Sequence, residues 1–383
     1  MKEKLLVIIP DKLSVLINKG EVVPRYYNPG NVFDEVHIMM TNDDKPDPDL
    51  VKSMVGDAEL FLYNFPPPPH FFRNTFGWQP FLMKKWLYES SDIVRKINPS
   101  IVRCYGMHLN LSIGSYCKDK FNIPLLVSMH THPLLDSHKE ELSIKEKIIK
   151  KYSIKFSRYL KNANLILPVY IGIENFLNDK GLSNYKTLYN SVRIDESMCK
   201  KDFKISNIFK IVCVGQQIYN KNPENIIKAI SKLEGVSLDI IGTGKLNSYL
   251  KKLVNDLKVE KKVKFIDSIR NDELCQKLIT YDCFSASIDC IGISKTLIES
   301  FLLKLPVLIN KNSHTEVPEL NDSICLRVKD TEEGYINGIN KFINDKKLRI
   351  NLAENAYKTA WEKWSPQECE KKHINVYREF LND

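Results

Sequence analysis

The sequence predicts an α/β chain of two doubly wound halves, each a parallel sheet with helices on both faces. Three observations carry that reading. Short apolar runs alternate with longer amphipathic segments along the whole chain. The runs lack the polar–apolar alternation of half-exposed strands, as strands buried on both faces do. The rhythm breaks once, in the polar, aperiodic stretch 191–206, and then begins again.

In the first half, Leu5–Ile9, Val36–Met40, Leu60–Tyr63, Ile101–Tyr105, Leu125–Met129 and Leu165–Pro168 are the predicted strands. Asp47-Pro48-Asp49, after the second of them, matches D-x-D, a metal signature of a different transferase fold, and is read here as chance. Four prolines, Pro66 to Pro69, then impose a stiff polyproline loop, followed by Phe71, Phe72, Arg73, Phe76 and Trp78. That loop is either a simple connection or a contact for an acceptor or membrane. Helical spacing over Ile144–Leu160 carries a run of lysines that ends at Lys161. Such a face is either solvated or rests on anionic lipid.

Stretch 191–206 reads as a linker. The second series comprises Phe209–Val214, Val236–Ile241, Val263–Phe265, Cys283–Ser287, Val307–Ile309 and Ile324–Val328. The expected division is 1–195 for the first domain and 208–365 for the second, with a last helix, 366–383, returning to the first. A chain of 383 residues suits two domains at roughly 100–200 residues each. Two doubly wound halves place a ligand at the carboxyl ends of the strands.

Composition excludes more than it selects. The formal net charge of +9 suits an anionic substrate, an acidic membrane surface or nucleic acid, or is simply a lysine-rich surface. No recognition motif accompanies the charge, so nucleic acid is not an expected partner. Nine scattered cysteines form no C-x-x-C pair, which excludes a disulfide framework or a zinc site and suits a reducing cytoplasm. The apolar run Leu5–Ile9 is too short for a signal peptide, and no run of 18 apolar residues appears.

The second half carries the chemistry. Its first strand runs into Gly215-Gln216-Gln217, and Lys221 stands just before a helix expected from about Glu224. A diphosphate is favoured at such a helix start, although the same residues also suit an ordinary loop with a solvated lysine. Gly242-Thr243-Gly244 forms a second glycine turn and lacks the third glycine of a dinucleotide fingerprint. The segment from Ser287 to Ile309 reads strand, glycine turn at Gly292, helix from about Ser294, Leu305-Pro306, strand. Backbone N–H groups from Ile293 to Thr296 can face a phosphate. Glu299, about one and a half turns in, can accept hydrogen bonds from vicinal ribose hydroxyls, or be a plain helix residue.

These pieces, in this order from Phe209 to about Trp364, resemble the donor domain of glycosyltransferase family 4. They are Val214-Gly215 with Lys221, Ile241-Gly242 with Gly244, the loop Asp267–Ile269, Tyr281-Asp282, and Gly292 to Glu299 before Leu305-Pro306-Val307. The resemblance implies a GT-B fold, two Rossmann-like domains facing each other across a cleft. It implies a retaining, metal-independent transferase taking a sugar from a nucleotide diphosphate donor, UDP or GDP. The acceptor would be a glycan, a lipid-linked molecule or a small molecule, and no cofactor beyond the nucleotide sugar is expected.

By the same resemblance, Glu299 binds the donor ribose and Lys221 the diphosphate. Gly292, Ile293 and Ser294 cradle sugar and phosphate, with Gly215, Gln216, Gly242 and Thr296 around them. His130, at the end of Leu125–Met129, would touch the donor sugar or the acceptor, or be a structural histidine. Asn190-Ser191-Val192 looks like the family's N-G-V, and Lys19-Gly20-Glu21 like its glycine loop near the leaving phosphate. His132, two residues after His130, would share its face on a strand, but two ligands are too few for zinc.

Two departures stand out. The first glutamate of the family's E-x(7)-E pattern falls at Ile291, with Asp289 nearby, and the expected arginine is Gln216. A non-catalytic GT-B subunit that binds nucleotide or glycan beside an active transferase is therefore the alternative reading. A nucleotide-sugar epimerase would need more acidic residues than the motifs supply. The expected place is the cytoplasm, with the inner face of the membrane as the site of any lipid contact.

Overall fold

A computed structural model describes residues 2–68, 80–133, 154–192, 194–195, 197–289, 292–311 and 316–381. Among them, contacts group 2–133, 154–191 and 369–381 into one unit and 192–368 into the other.

The first unit holds six parallel strands: β1 (Lys4–Ile9), β2 (Glu35–Met40), β3 (Glu59–Asn64), β4 (Ile101–Tyr105), β5 (Leu125–Met129) and β6 (Leu165–Pro168). Their spatial order is β3-β2-β1-β4-β5-β6. β1 lies between β2 and β4, with Leu5 opposite Val36 on one side and Ile101 on the other. β2, β4 and β5 are buried along their whole length, which explains the uninterrupted apolar runs.

The second unit repeats the design with β7 (Phe209–Val214), β8 (Val236–Ile241), β9 (Val263–Ile266), β10 (Cys283–Ala286), β11 (Val307–Asn310) and β12 (Leu326–Val328). The order is β12-β11-β10-β7-β8-β9, all parallel, so the chain reverses direction across the sheet between β7 and β10. Phe209, Ile211, Leu238, Ile226, Ile230 and Phe342 join in its core.

All twelve predicted strands form, with small shifts at their ends. The last is the largest: Ile324 and Cys325 precede β12, because both their N–H groups bond to the Asn321 carbonyl in a turn. The helix expected over Ile144–Leu160 lies largely outside the described residues. Its described end is α-helical over 154–156 and then a 3-10 turn, Ser157–Asn162. Phe71, Phe72, Arg73, Phe76 and Trp78 also lie outside the described residues. The start of the proline loop is anchored: Trp86 donates to the Pro66 carbonyl at 3.1 Å, and its ring stacks on Phe65.

The stretch read as a linker is firmly held in the second unit. Lys200 is buried, and its ammonium donates to the carbonyls of Tyr281 (2.7 Å) and Ile279 (3.3 Å). Burial pushes its pKa down. The last helix, Pro366–Leu381, sends Val376 and Tyr377 into the first core. Glu370 on it grips Arg25 through two bonds of 2.7 and 2.9 Å. No described helix is long and apolar enough to cross a membrane.

Candidate active site

Where the second sheet reverses, the loops after β7 and β10 part and leave a crevice, the usual ligand position in such folds. The loop after β7 is braced from within. Gln217 is buried, its amide donates to the Gly242 carbonyl at 2.5 Å, and its side-chain oxygen accepts from Asn247 at 2.7 Å. Its backbone bonds Thr243 and Leu246. Gly242 holds φ at +125°, and a β-carbon there would collide with the Gly215 carbonyl. One on Gly244 would collide with the backbone of Gln217. These two glycines let the turn after β8 lie flat against the turn after β7.

The loop after β10 is clamped by Asn310, the last residue of β11. Its side chain accepts from the Ile288 N–H at 2.6 Å and donates to the Ile288 carbonyl at 2.9 Å. Asp289 N–H bonds the Asn220 carbonyl at 3.0 Å, which joins this loop to the segment before Lys221. The helix Lys295–Leu302 then begins. Ser294 caps it, accepting from the Leu297 N–H at 3.2 Å.

Between these loops lies an open pocket. Gly215, Gln216, Lys221, Gly292, Ser294 and Thr296 all line it, with Ser285, Ala286, Ser287 and Ile288. Lys221 is the only cation among the lining residues. It ends a short 3-10 turn, Tyr219–Lys221, and is half-buried. Gln216 is exposed. The amino end of a helix beside an ammonium makes a receptor for a phosphate-bearing ligand.

Other predicted residues stand elsewhere. Gly242 and Ile293 are not among the lining residues, and neither is Glu299. Glu299 is 3% exposed and accepts from the Asn271 side chain at 2.8 Å. Ile291 lies outside the described residues. Tyr281 and Asp282 tie the sheet together: Tyr281 donates to Asp239 at 2.5 Å, and Asp282 accepts from the Lys210 N–H at 2.8 Å. Gln217, Asn310 and Asn271 were not foreseen as parts of the site. A buried amide side chain has no spacing signature, so only Gln217, inside the glycine loop, offered a clue.

In the first unit, His130 follows the end of β5 and is half-buried. Its Nδ1 lies 3.2 Å from the Asn190 amide nitrogen, and its ring lies 5.6 Å from that of Tyr105. Asn190 in turn accepts from Tyr26 at 3.3 Å. The Nε2 atom is shielded from solvent. Strand geometry gives His132 no shared face with His130, since β5 stops at Met129; His132 is buried with its ring against Phe176. No metal-binding cluster of His, Cys, Asp or Glu occurs among the described residues.

Two motifs of this unit have structural roles. Asp47 caps the helix Pro48–Lys52, accepting from the Asp49 N–H at 3.0 Å, so D-x-D is here a helix start. Lys19-Gly20-Glu21 closes the helix Leu13–Asn18: Gly20, at φ +68°, bonds the Ile17 carbonyl and Glu21 that of Leu16. That pairing is a Schellman cap.

Comparison with known proteins follows from this geometry. Residues 197–359 match the family model "Glycosyl transferases group 1". The chain is 24% identical over 210 residues to the lipopolysaccharide core biosynthesis glycosyltransferase LpsE of Rhizobium meliloti (strain 1021), a match covering 52% of this chain and 60% of the relative. The chain thus spans about three fifths of that relative's length. Among solved structures, sucrose-phosphate synthase from Thermosynechococcus elongatus aligns over 100% of both chains with a TM-score of 0.73 and 12% identity. Anabaena HepE in complex with UDP aligns over 98% of this chain and 100% of its own, with a TM-score of 0.68 and 15% identity. The fold is GT-B.

Proposed function

We propose that this chain, which has the GT-B fold and matches the group 1 glycosyl transferase model over residues 197–359, moves a sugar from a nucleoside diphosphate to an acceptor in the synthesis of a glycoconjugate. The observation that carries the reading is the pocket at the reversal of the second sheet. Three separated segments meet there: Gly215-Gln216, Lys221, and the helix start from Gly292 to Thr296. Its position and donors suit a pyrophosphate. The likeness to LpsE favours a lipopolysaccharide-type acceptor, and the UDP seated in HepE favours a uridine donor.

In this mechanism the diphosphate lies on the amino end of the helix Lys295–Leu302. Lys221 and the helix dipole stabilise the negative charge that grows on the leaving diphosphate as the anomeric bond breaks. They fill the role of a metal ion, so transfer proceeds without one. Glu299 holds the ribose through hydroxyl hydrogen bonds, with Asn271 fixing one carboxylate oxygen. The donor sugar keeps its anomeric configuration. His130 serves the sugar or the acceptor from the first unit. The eight described cysteines are free thiols, in keeping with a cytoplasmic place.

A second reading has a specific observation behind it. Gln216 is exposed and uncharged, so a single ammonium lines the pocket. A non-catalytic subunit needs only to bind the nucleotide. Thermal shift against UDP, GDP, ADP and their sugars tests the binding claim, and hydrolysis or transfer of the sugar that binds separates the two readings. No shift with any nucleotide would overturn both.

A further inference from the structure

On the end of the second sheet away from the candidate donor pocket, the strap from Lys200 to Lys210 displays lysines in a fixed arrangement. Its inward residues are anchored. Lys200 is bonded to two carbonyls, Phe203 is buried with its carbonyl accepting from Arg349 at 3.2 Å, and Phe209 is 1% exposed in the core. Between these anchors Lys201, Lys204 and Ile208 are exposed, as is Lys210 just after the last. A pocket lined by Lys200, Lys201, Lys204 and Lys210 opens here. Lys201, Lys204 and Lys210 form no ion pair among the described residues, and Ile208 is 45% exposed.

We propose that this strap is a docking surface for an anionic lipid bilayer. Lys201, Lys204 and Lys210 supply attraction to acidic headgroups, and Asp202 and Asp282, which line the same pocket, offset only part of it. Ile208 decides between a membrane and a dissolved anion. An isoleucine side chain gains nothing beside a hydrated phosphate, but it gains by entering the headgroup–acyl boundary. The anchored backbone means that no backbone ordering cost is added when the lysines meet the surface. The proposal is independent of the transferase reading, since it concerns a face that none of the candidate site residues occupies.

Sedimentation with vesicles tests it, using the whole chain. Vesicles of phosphatidylglycerol in phosphatidylcholine should retain the protein at low salt and release it at high salt, and pure phosphatidylcholine should not retain it. The double substitution Lys201→Ser and Lys204→Ser should weaken retention about 25-fold, at about fivefold per lysine. Ile208→Ser should weaken it further and leave thermal unfolding unchanged. Unaltered retention in the double variant would place the contact elsewhere and overturn the proposal. So would equal retention by phosphatidylcholine, or release by inorganic phosphate beyond that of chloride at equal ionic strength.

Discussion

The carbonyl of Gly215 occupies the space that a β-carbon on Gly242 would need. This fixes how the first two loops of the second sheet lie on one another, and Gln217 locks the arrangement with its bond to the Gly242 carbonyl.

Gly242→Ala should therefore be strongly destabilising. Alanine at φ +125° is strained, and its methyl group overlaps backbone that cannot rotate away. A loss of about 2–4 kcal/mol is expected from the two effects together. Gly235→Ala is the control, since its φ is +66° but its nearest neighbour stands at 3.7 Å. That substitution should cost only about 1–2 kcal/mol. Urea unfolding of both variants checks the difference, and equal losses would contradict the packing argument.

Lys221→Ala should weaken nucleoside diphosphate binding about 10- to 150-fold, since one charge-assisted contact is worth about 1.5–3 kcal/mol. The lysine is half-buried and outside the core, so unfolding should hardly change. Isothermal titration at low and high salt is the measurement. Affinity in the wild type should fall with salt, and less so in the variant. Unchanged affinity in Lys221→Ala would remove the lysine from the site.

The sequence made the sheets legible because burial on both faces leaves a run such as Leu125–Met129 no polar partner. It missed the start of β12 because Cys325 looks like strand, while its N–H is taken by Asn321 in a turn. Pocket residues that act through backbone and glycine, such as Gly215 and Gly292, carry a readable spacing. Residues that act by buried amide bonds do not: nothing in the order of residues tells that Asn310 reaches Ile288 or that Asn271 reaches Glu299. Lys200 shows the opposite failure. A lysine in a polar stretch reads as solvated, and only the two carbonyls over it reveal an anchor.

Acid should reveal the ion pairs at the start of the first sheet. The ammonium of Lys4, 2.9 Å from Glu35, pushes that carboxyl down to about 2, with help from Lys2 and His37. The folded value lies below the unfolded one, near 4.5, so the unfolded chain binds the extra proton. The stability from this pairing is full above pH 4.5 and is lost as pH falls toward 2. Glu35→Gln removes it at all pH values. The stability gap between wild type and variant should narrow over that window, as read from urea midpoints. A gap that stays constant with pH would show that the pairing does not hold the carboxyl down.

The role of Asp47 bears on whether a metal takes part in transfer. Its carboxylate accepts from the Asp49 N–H at the start of a helix whose first residue is Pro48. Both the cap and the proline belong to that helix start. Asp47→Ala should cost about 1 kcal/mol of stability, and Asp47→Ser should recover most of it, since serine caps as well. Neither change should alter transfer, and a chelator should leave transfer by the wild type intact. If instead Asp47→Ser abolished transfer while leaving unfolding unchanged, and manganese restored it, the carboxylate would be a metal ligand after all. The cap geometry gives this carboxylate a structural task, since its Oδ1 accepts from the Asp49 N–H.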